Sequence, residues 1–269
     1  MASHQSRTLQ LLLIAFGFSF VIVGTVQLMF GYEGLYAATG LLAAGLITYA
    51  ALWSDGLTLQ ALGGSPTNLC RALVVAVLTL GLCLLLGALL QWGGLITGPV
   101  MFVPDQWELM GYLMARGWAE ELLFRGFLFI GLARLLDRGR LPWRAWLICS
   151  ALFGLYHLPT ALGLGLTGEV LAYRIGLPLF ASLVLLVPLY LLSHNLWLAV
   201  IMHSLASMLV APHLQERPLL ALAFIAISLL MGRFLLRSEQ PLPLTYRLKG
   251  LRVCPAPEPA PRRRVWHVI

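Results

Sequence analysis

Between Ile175 and Gln215 the chain carries no Asp, Glu, Lys or Arg. As a single helix this run would be about 60 Å long at 1.5 Å per residue, twice the hydrocarbon thickness of a bilayer. It must fold back on itself, and Ser193-His194-Asn195 is the natural turn, with Asn195 placed to cap the helix that follows. Two further charge-free runs, Leu9–Tyr32 and Gly34–Ser54, are each long enough for one crossing. Only 11% of the residues are charged and 59% are hydrophobic, against about 25% and 45–50% in a soluble domain. This excludes an ordinary water-soluble enzyme, a disordered chain and a disulfide-stapled mini-protein. The sequence predicts an all-α, polytopic membrane protein.

Breaks in the apolar pattern divide the chain into about eight spans. The loop Asp55–Asn68, with Gly63, Gly64 and Pro66, separates the second span from a third over Leu69–Trp92. A fourth helix runs over Gln106–Leu136, a fifth over Trp143–Leu162 and an eighth over Pro218–Leu236. The first run is too long for a signal-peptide core and is read as an uncleaved helix. With both termini cytoplasmic, the inner flanks hold Arg7, Arg71, Arg134, Arg138, Arg140, Arg144, Arg237, Arg247, Lys249, Arg252 and Arg262–Arg264. The other side keeps only Arg174 and Arg217, so the positive-inside bias supports that orientation. Residues 1–237 then form one transmembrane domain, and 238–269 a Pro/Arg-rich cytoplasmic tail without a fold of its own. The expected setting is the plasma (inner) membrane, crossed several times. The basic net charge is explained by orientation in the bilayer rather than by nucleic acid. Four cysteines, Cys70, Cys83, Cys149 and Cys254, form no CxxC pair and suggest neither a disulfide framework nor a thiolate zinc site.

The fourth helix breaks the rule that spans avoid charge. It contains Arg116, Glu120, Glu121 and Arg125, and an ionisable group at membrane depth costs about 2.5–3.5 kcal/mol on insertion scales. Spacing by four pairs Arg116 with Glu120 and Glu121 with Arg125. Adjacent residues point about 100° apart, so one acid can face a cavity while its neighbour is held by Arg125. His157 on helix five and His203 on helix seven complete a set of one acid and two imidazoles from three helices. These are the parts of a water-activating site, with a carboxylate base and imidazoles to orient the water or hold an oxyanion. They would equally make a His-His-carboxylate zinc site through Glu120, His157 and His203.

Three motifs on these helices resemble those of the CPBP (CAAX protease and bacteriocin-processing) intramembrane proteases, relatives of the Rce1-type prenyl-protein endopeptidase. EExxxR reads Glu120-Glu121-Leu122-Leu123-Phe124-Arg125, and FxxxH reads Phe153-Gly154-Leu155-Tyr156-His157. The third, a His followed four residues on by Asn or Asp, reads His203-Ser204-Leu205-Ala206-Ser207, preceded by Leu196-Trp197. The resemblance covers residues 111–210 and implies an endopeptidase acting on a membrane-associated peptide, CAAX-type prenylated or bacteriocin-like, that reaches the site from the bilayer. It implies Glu120 as general base, His157 assisting, His203 at the oxyanion, and Glu121 and Arg125 as supports. Ser207 stands where the family has Asn or Asp. That departure keeps open a non-catalytic binding or immunity protein, and buried acids and histidines also leave a proton-coupled transporter as an alternative. A divalent metal such as zinc is implied by the family's conventional name, although no HExxH occurs.

Overall fold

A computed structural model of the chain describes residues 2–30, 44–51, 57–95, 107–137, 141–210 and 218–235. Among these residues every regular element is helical and there is no strand. Eight rods result. α1 is Ala2–Phe30, α2 covers 44–51, and α3 is Pro66–Trp92. α4 is continuous but changes pitch: Trp107–Glu121 is α-helical, Leu122–Phe129 π-helical and Ile130–Leu136 α-helical again. α5 comprises Trp143–Tyr156 and Leu158–Gly163, interrupted at His157. α6 comprises Gly168–Ala181, a π-helical turn over Ser182–Leu186, and Val187–Ser193. α7 is Leu196–Leu205 with a π-helical end over Ala206–Val210, and α8 is Pro218–Leu235.

Five helices among the described residues are long and apolar enough to cross a membrane: Leu9–Val26, Pro66–Trp92, Trp143–Gly163, Gly168–Ser193 and Pro218–Leu235. The tail 238–269, most of the second expected span and the basic residues Arg138 and Arg140 lie outside the described residues. α6 starts earlier than the charge-free run suggests. Thr167 is extended at its N-cap and Glu169 lies in the first turn, where an acid is favoured by the helix dipole. α1 likewise begins at Ala2 and takes in Arg7.

The turn between α6 and α7 falls at His194, which is left-handed (φ 52°, ψ 33°). Asn195 is extended and its Oδ1 accepts the Leu198 N–H at 3.1 Å, a side-chain cap for α7. The loop before α3 and the first turn of α3 are fastened to the end of α6 and this turn. Tyr190 donates its hydroxyl to the Leu62 carbonyl at 3.2 Å, and Asn195 Nδ2 donates to the Asn68 carbonyl at 2.9 Å. Gly63, at φ +80°, lies so close to the His194 carbonyl that no side chain fits there.

α3 turns Leu73, Val74, Val77, Leu85 and Leu89 outward, and α8 does the same with Leu219, Leu222, Leu230 and Phe234. Such faces would drive association in water but are ordinary against lipid. Buried among the rods are Phe124, Phe127, Phe129, Phe153 and Tyr190. α4 lies at the centre, packed against α1, α5 and α7, and all of its π-helical residues are buried. α7 is wedged between α3 and α4, while α5 pairs with α6.

The pitch change in α6 has a local cause. In the π register Val187 N–H bonds to the Ser182 carbonyl, so the next carbonyl, Leu183, would need an N–H from residue 188. That residue is proline and has none. Trp146 of α5 supplies the missing donor, its indole N–H lying 3.0 Å from the Leu183 oxygen. In hydrocarbon a carbonyl cannot be left to water.

Candidate active site

α4 brings Glu120 and Glu121 to the centre of the bundle, and each acid is gripped by a basic residue four positions away. Arg116 Nε donates to Glu120 Oε1 at 2.7 Å. Arg125 Nε pairs with Glu121 Oε2 at 3.0 Å, with both side chains fully buried. Glu120 is only 3% exposed, yet its second oxygen, Oε2, has no hydrogen-bond partner among the described residues. That oxygen lies 3.6 Å from His203 Nε2 and 4.0 Å from His157 Nε2. Both separations exceed a direct hydrogen bond; a water about 2.8 Å from both Glu120 Oε2 and His203 Nε2 would bridge that pair, with the His157 ring beside it. The three residues expected to share a site therefore converge on one carboxylate oxygen.

His157 reaches this position because α5 breaks there. Pro159 lacks the N–H that would continue the helix, and His157 takes φ −87° and ψ −7° between the two helical pieces. Its ring is held at both nitrogens: Nδ1 donates to the Phe153 carbonyl at 2.9 Å, and Nε2 accepts from Arg116 Nη2 at 2.5 Å. Arginine can only donate, so the ring is the neutral Nδ1–H tautomer, an assignment made from the partners. His203 Nδ1 donates to Glu121 Oε1 at 2.9 Å, leaving its Nε2 turned to Glu120. Glu121 thus holds an imidazole with one oxygen and Arg125 with the other.

Arg125 ties three helices together. Besides Glu121 on its own helix, its Nη2 donates to Ser182 Oγ on α6 at 2.9 Å, and Ser182 donates to Ser150 Oγ on α5 at 3.0 Å. Its guanidinium carbon sits 4.6 Å from the centroid of the Phe153 ring, a desolvated cation–π contact worth about 2 kcal/mol. The same ring meets both imidazoles edge to face, with centroids 5.2 Å from His157 and 5.6 Å from His203. The phenylalanine of FxxxH is therefore the apolar brace between the two histidines.

α4 and α7 approach closely at Gly117, where an added Cβ would lie 2.6 Å from Ser204 Oγ and 3.1 Å from the Val200 carbonyl oxygen. Ser204, next to His203, donates to the Leu113 and Val200 carbonyls at 3.0 and 2.9 Å. Ser207 lies half-buried in the π-helical end of α7. Sequence reasoning treated Arg116 only as a charge partner and did not single out Gly117, Ser182 or Ser204. A spacing of four exposes the Arg116–Glu120 pair, but nothing local reports a contact from Arg116 to a ring 41 positions away.

The donor set does not fit a zinc ion in this arrangement. A catalytic zinc takes three protein ligands, and the lone pair of His157 Nε2 is already used by Arg116, whose positive charge also lies against Glu120 Oε1. Only Glu120 Oε2 and His203 Nε2 remain. Among the described residues no group of three or more His, Cys, Asp or Glu has the geometry to hold a metal ion.

Residues 102–209 match the family model described as Type II CAAX prenyl endopeptidase Rce1-like. This stretch, less than half of the chain, is similar to the Rce1-like family. That family is a peptidase family, and five helices among the described residues have the length and composition expected of an integral membrane protein. The matched stretch contains Glu120, Glu121, Arg125, His157, His203 and Ser207, whereas α1, α3 and α8 lie outside it. No curated protein and no solved structure matches the chain.

Proposed function

We propose that the chain is an intramembrane endopeptidase that cuts a membrane-associated, CAAX-type prenylated or bacteriocin-like peptide with water activated by Glu120. The observation that carries this is the partnerless Glu120 Oε2, buried and faced by two imidazole nitrogens. A water there gives its proton to Oε2 as its oxygen attacks the scissile carbonyl. His203, held at Nδ1 by Glu121, steadies the oxyanion when it carries a proton on Nε2. Collapse of the tetrahedral intermediate passes the proton from Glu120 to the leaving amine, which restores the carboxylate. His157 flanks the same oxygen and keeps the ring face of the site in place. The carboxylate does this without a resident metal, because Arg116 already supplies the neighbouring positive charge. The same reading puts eight crossings in the plasma membrane, with both termini cytoplasmic and the substrate arriving from the bilayer.

The test is cleavage of a peptide panel, with and without a prenylated cysteine, by the full chain in detergent. Glu120→Gln is expected to abolish cleavage while leaving the melting temperature within a few degrees, and a chelator is expected to change nothing. Wild-type cutting by the variant would refute the assignment. Ser207, standing where the resembled family has Asn or Asp, supports a second reading, a binding or immunity protein of that family without turnover. A wild-type chain inert on the whole panel, and equally inert as Ser207→Asn, would favour it.

A further inference from the structure

We propose that Arg116 is a positioning residue for this chemistry, a fixed internal cation that bridges Glu120 and His157, sets which oxygen of Glu120 faces the substrate and fixes the tautomer and place of the His157 ring. The proposal rests on the peptidase reading for its kinetics but on geometry alone for the bridge. Two donors of one planar guanidinium are used in different directions: Nε on Glu120 Oε1 and Nη2 on His157 Nε2. A planar fork satisfies two acceptors at a fixed mutual angle, which a lysine ammonium on a flexible stem does not. Occupying Oε1 leaves Oε2 as the one oxygen of Glu120 free to take a proton, on the side of His203. Occupying His157 Nε2 fixes the Nδ1–H tautomer, whose proton goes to the Phe153 carbonyl.

The placement suits such a role. Arg116 lies one turn before Glu120 on α4 and is the most exposed member of the cluster at 14%, against 3% for Glu120. It joins α4 to α5 at the break in α5, where the backbone alone does not hold His157 in a helix. Its charge balances a carboxylate that would otherwise be buried uncompensated.

The test uses the full chain in detergent, with Arg116→Lys, Arg116→Gln and Arg116→Ala. With a cleavable peptide, Lys and Gln variants are expected to lower kcat about 100-fold while KM changes by less than about threefold, since misplacement of about 1 Å has that kinetic cost. Adding methylguanidinium to Arg116→Ala is expected to restore part of kcat, and methylammonium is not. Nitrogen-15 NMR of labelled histidine, assigned with His157→Gln, is expected to show a single Nδ1–H tautomer for His157 that becomes mixed in Arg116→Gln. A Lys variant with wild-type kcat would reduce Arg116 to charge balance and overturn the proposal. So would a rise in KM at unchanged kcat, which would make it a substrate contact, or an unaltered tautomer in Arg116→Gln. The NMR measurement needs no substrate. A chain that cuts no peptide yet shows the tautomer change therefore defeats the peptidase reading while supporting the bridge.

Discussion

Replacing Gly117 by alanine tests whether the distance between α4 and α7 sets the rate. Ordinary van der Waals contact begins near 3.4 Å, and the new Cβ would stand 2.6 Å from Ser204 Oγ and 3.1 Å from the Val200 carbonyl oxygen. The shortfalls are 3.4 − 2.6, about 0.8 Å, and 3.4 − 3.1, about 0.3 Å. Ser204 can turn away only by giving up its bonds to Leu113 and Val200, and the Val200 oxygen is backbone. The helices must therefore separate by about 0.3–0.8 Å, and the 2.9 Å bond from His203 to Glu121 stretches toward about 3.2–3.7 Å. A displacement of about 1 Å costs about 100-fold in rate, so kcat/KM is expected to fall about 10- to 100-fold. Overpacking costs about 1–3 kcal/mol in stability, visible as a lower melting temperature in detergent. The companion variant Gly117→Ala with Ser204→Ala removes the nearer clash and leaves only the smaller one. It is expected to regain most of the lost rate, so the two changes are non-additive. Wild-type kcat/KM in Gly117→Ala, or no recovery in the double variant, would refute the link between helix spacing and the His203–Glu121 contact.

Two further outcomes follow from the same geometry. Phe153→Leu keeps an apolar side chain but removes the edge contacts to both imidazoles and the cation–π contact with Arg125; stability is expected to fall by about 3–5 kcal/mol on the sum of those contacts, and peptide cleavage to fall at least tenfold. Asp137 Oδ2 accepts the Ala145 N–H at 3.1 Å in the first turn of α5, so Asp137→Ala is expected to cost about 1 kcal/mol in thermal unfolding, with kcat unchanged.

Much of this arrangement was legible in the amino-acid sequence because membrane helices obey simple rules of length and charge. The fold-back at Ser193-His194-Asn195 followed from a charge-free run too long for one crossing, and the left-handed His194 with the Asn195 cap is that turn. The two i, i+4 ion pairs on α4 followed from spacing alone. The break at His157 was less visible, because a proline two residues on marks an interruption without saying which side chain it will aim. The π-helical stretches left no periodic signature, since Leu122–Phe129 is apolar apart from Arg125 and a single charge marks no pitch. Contacts such as Arg116 with His157, or Arg125 with Ser182, depend on how helices dock and not on any local pattern.

The indole of Trp146 has a consequence for how the bundle can open. It closes a carbonyl that Pro188 has deprived of its backbone donor, and it does so one residue from the Ser182 hydroxyl that receives Arg125. A few residues along the same seam, Gly154 lets α5 sit directly against Leu179 and Ile175. Sliding or parting α5 and α6 would strand a bare peptide oxygen in oil and unseat the arginine in the same motion. These two rods are clasped together, so under the proposed function a guest peptide would find its doorway along some other margin of the protein.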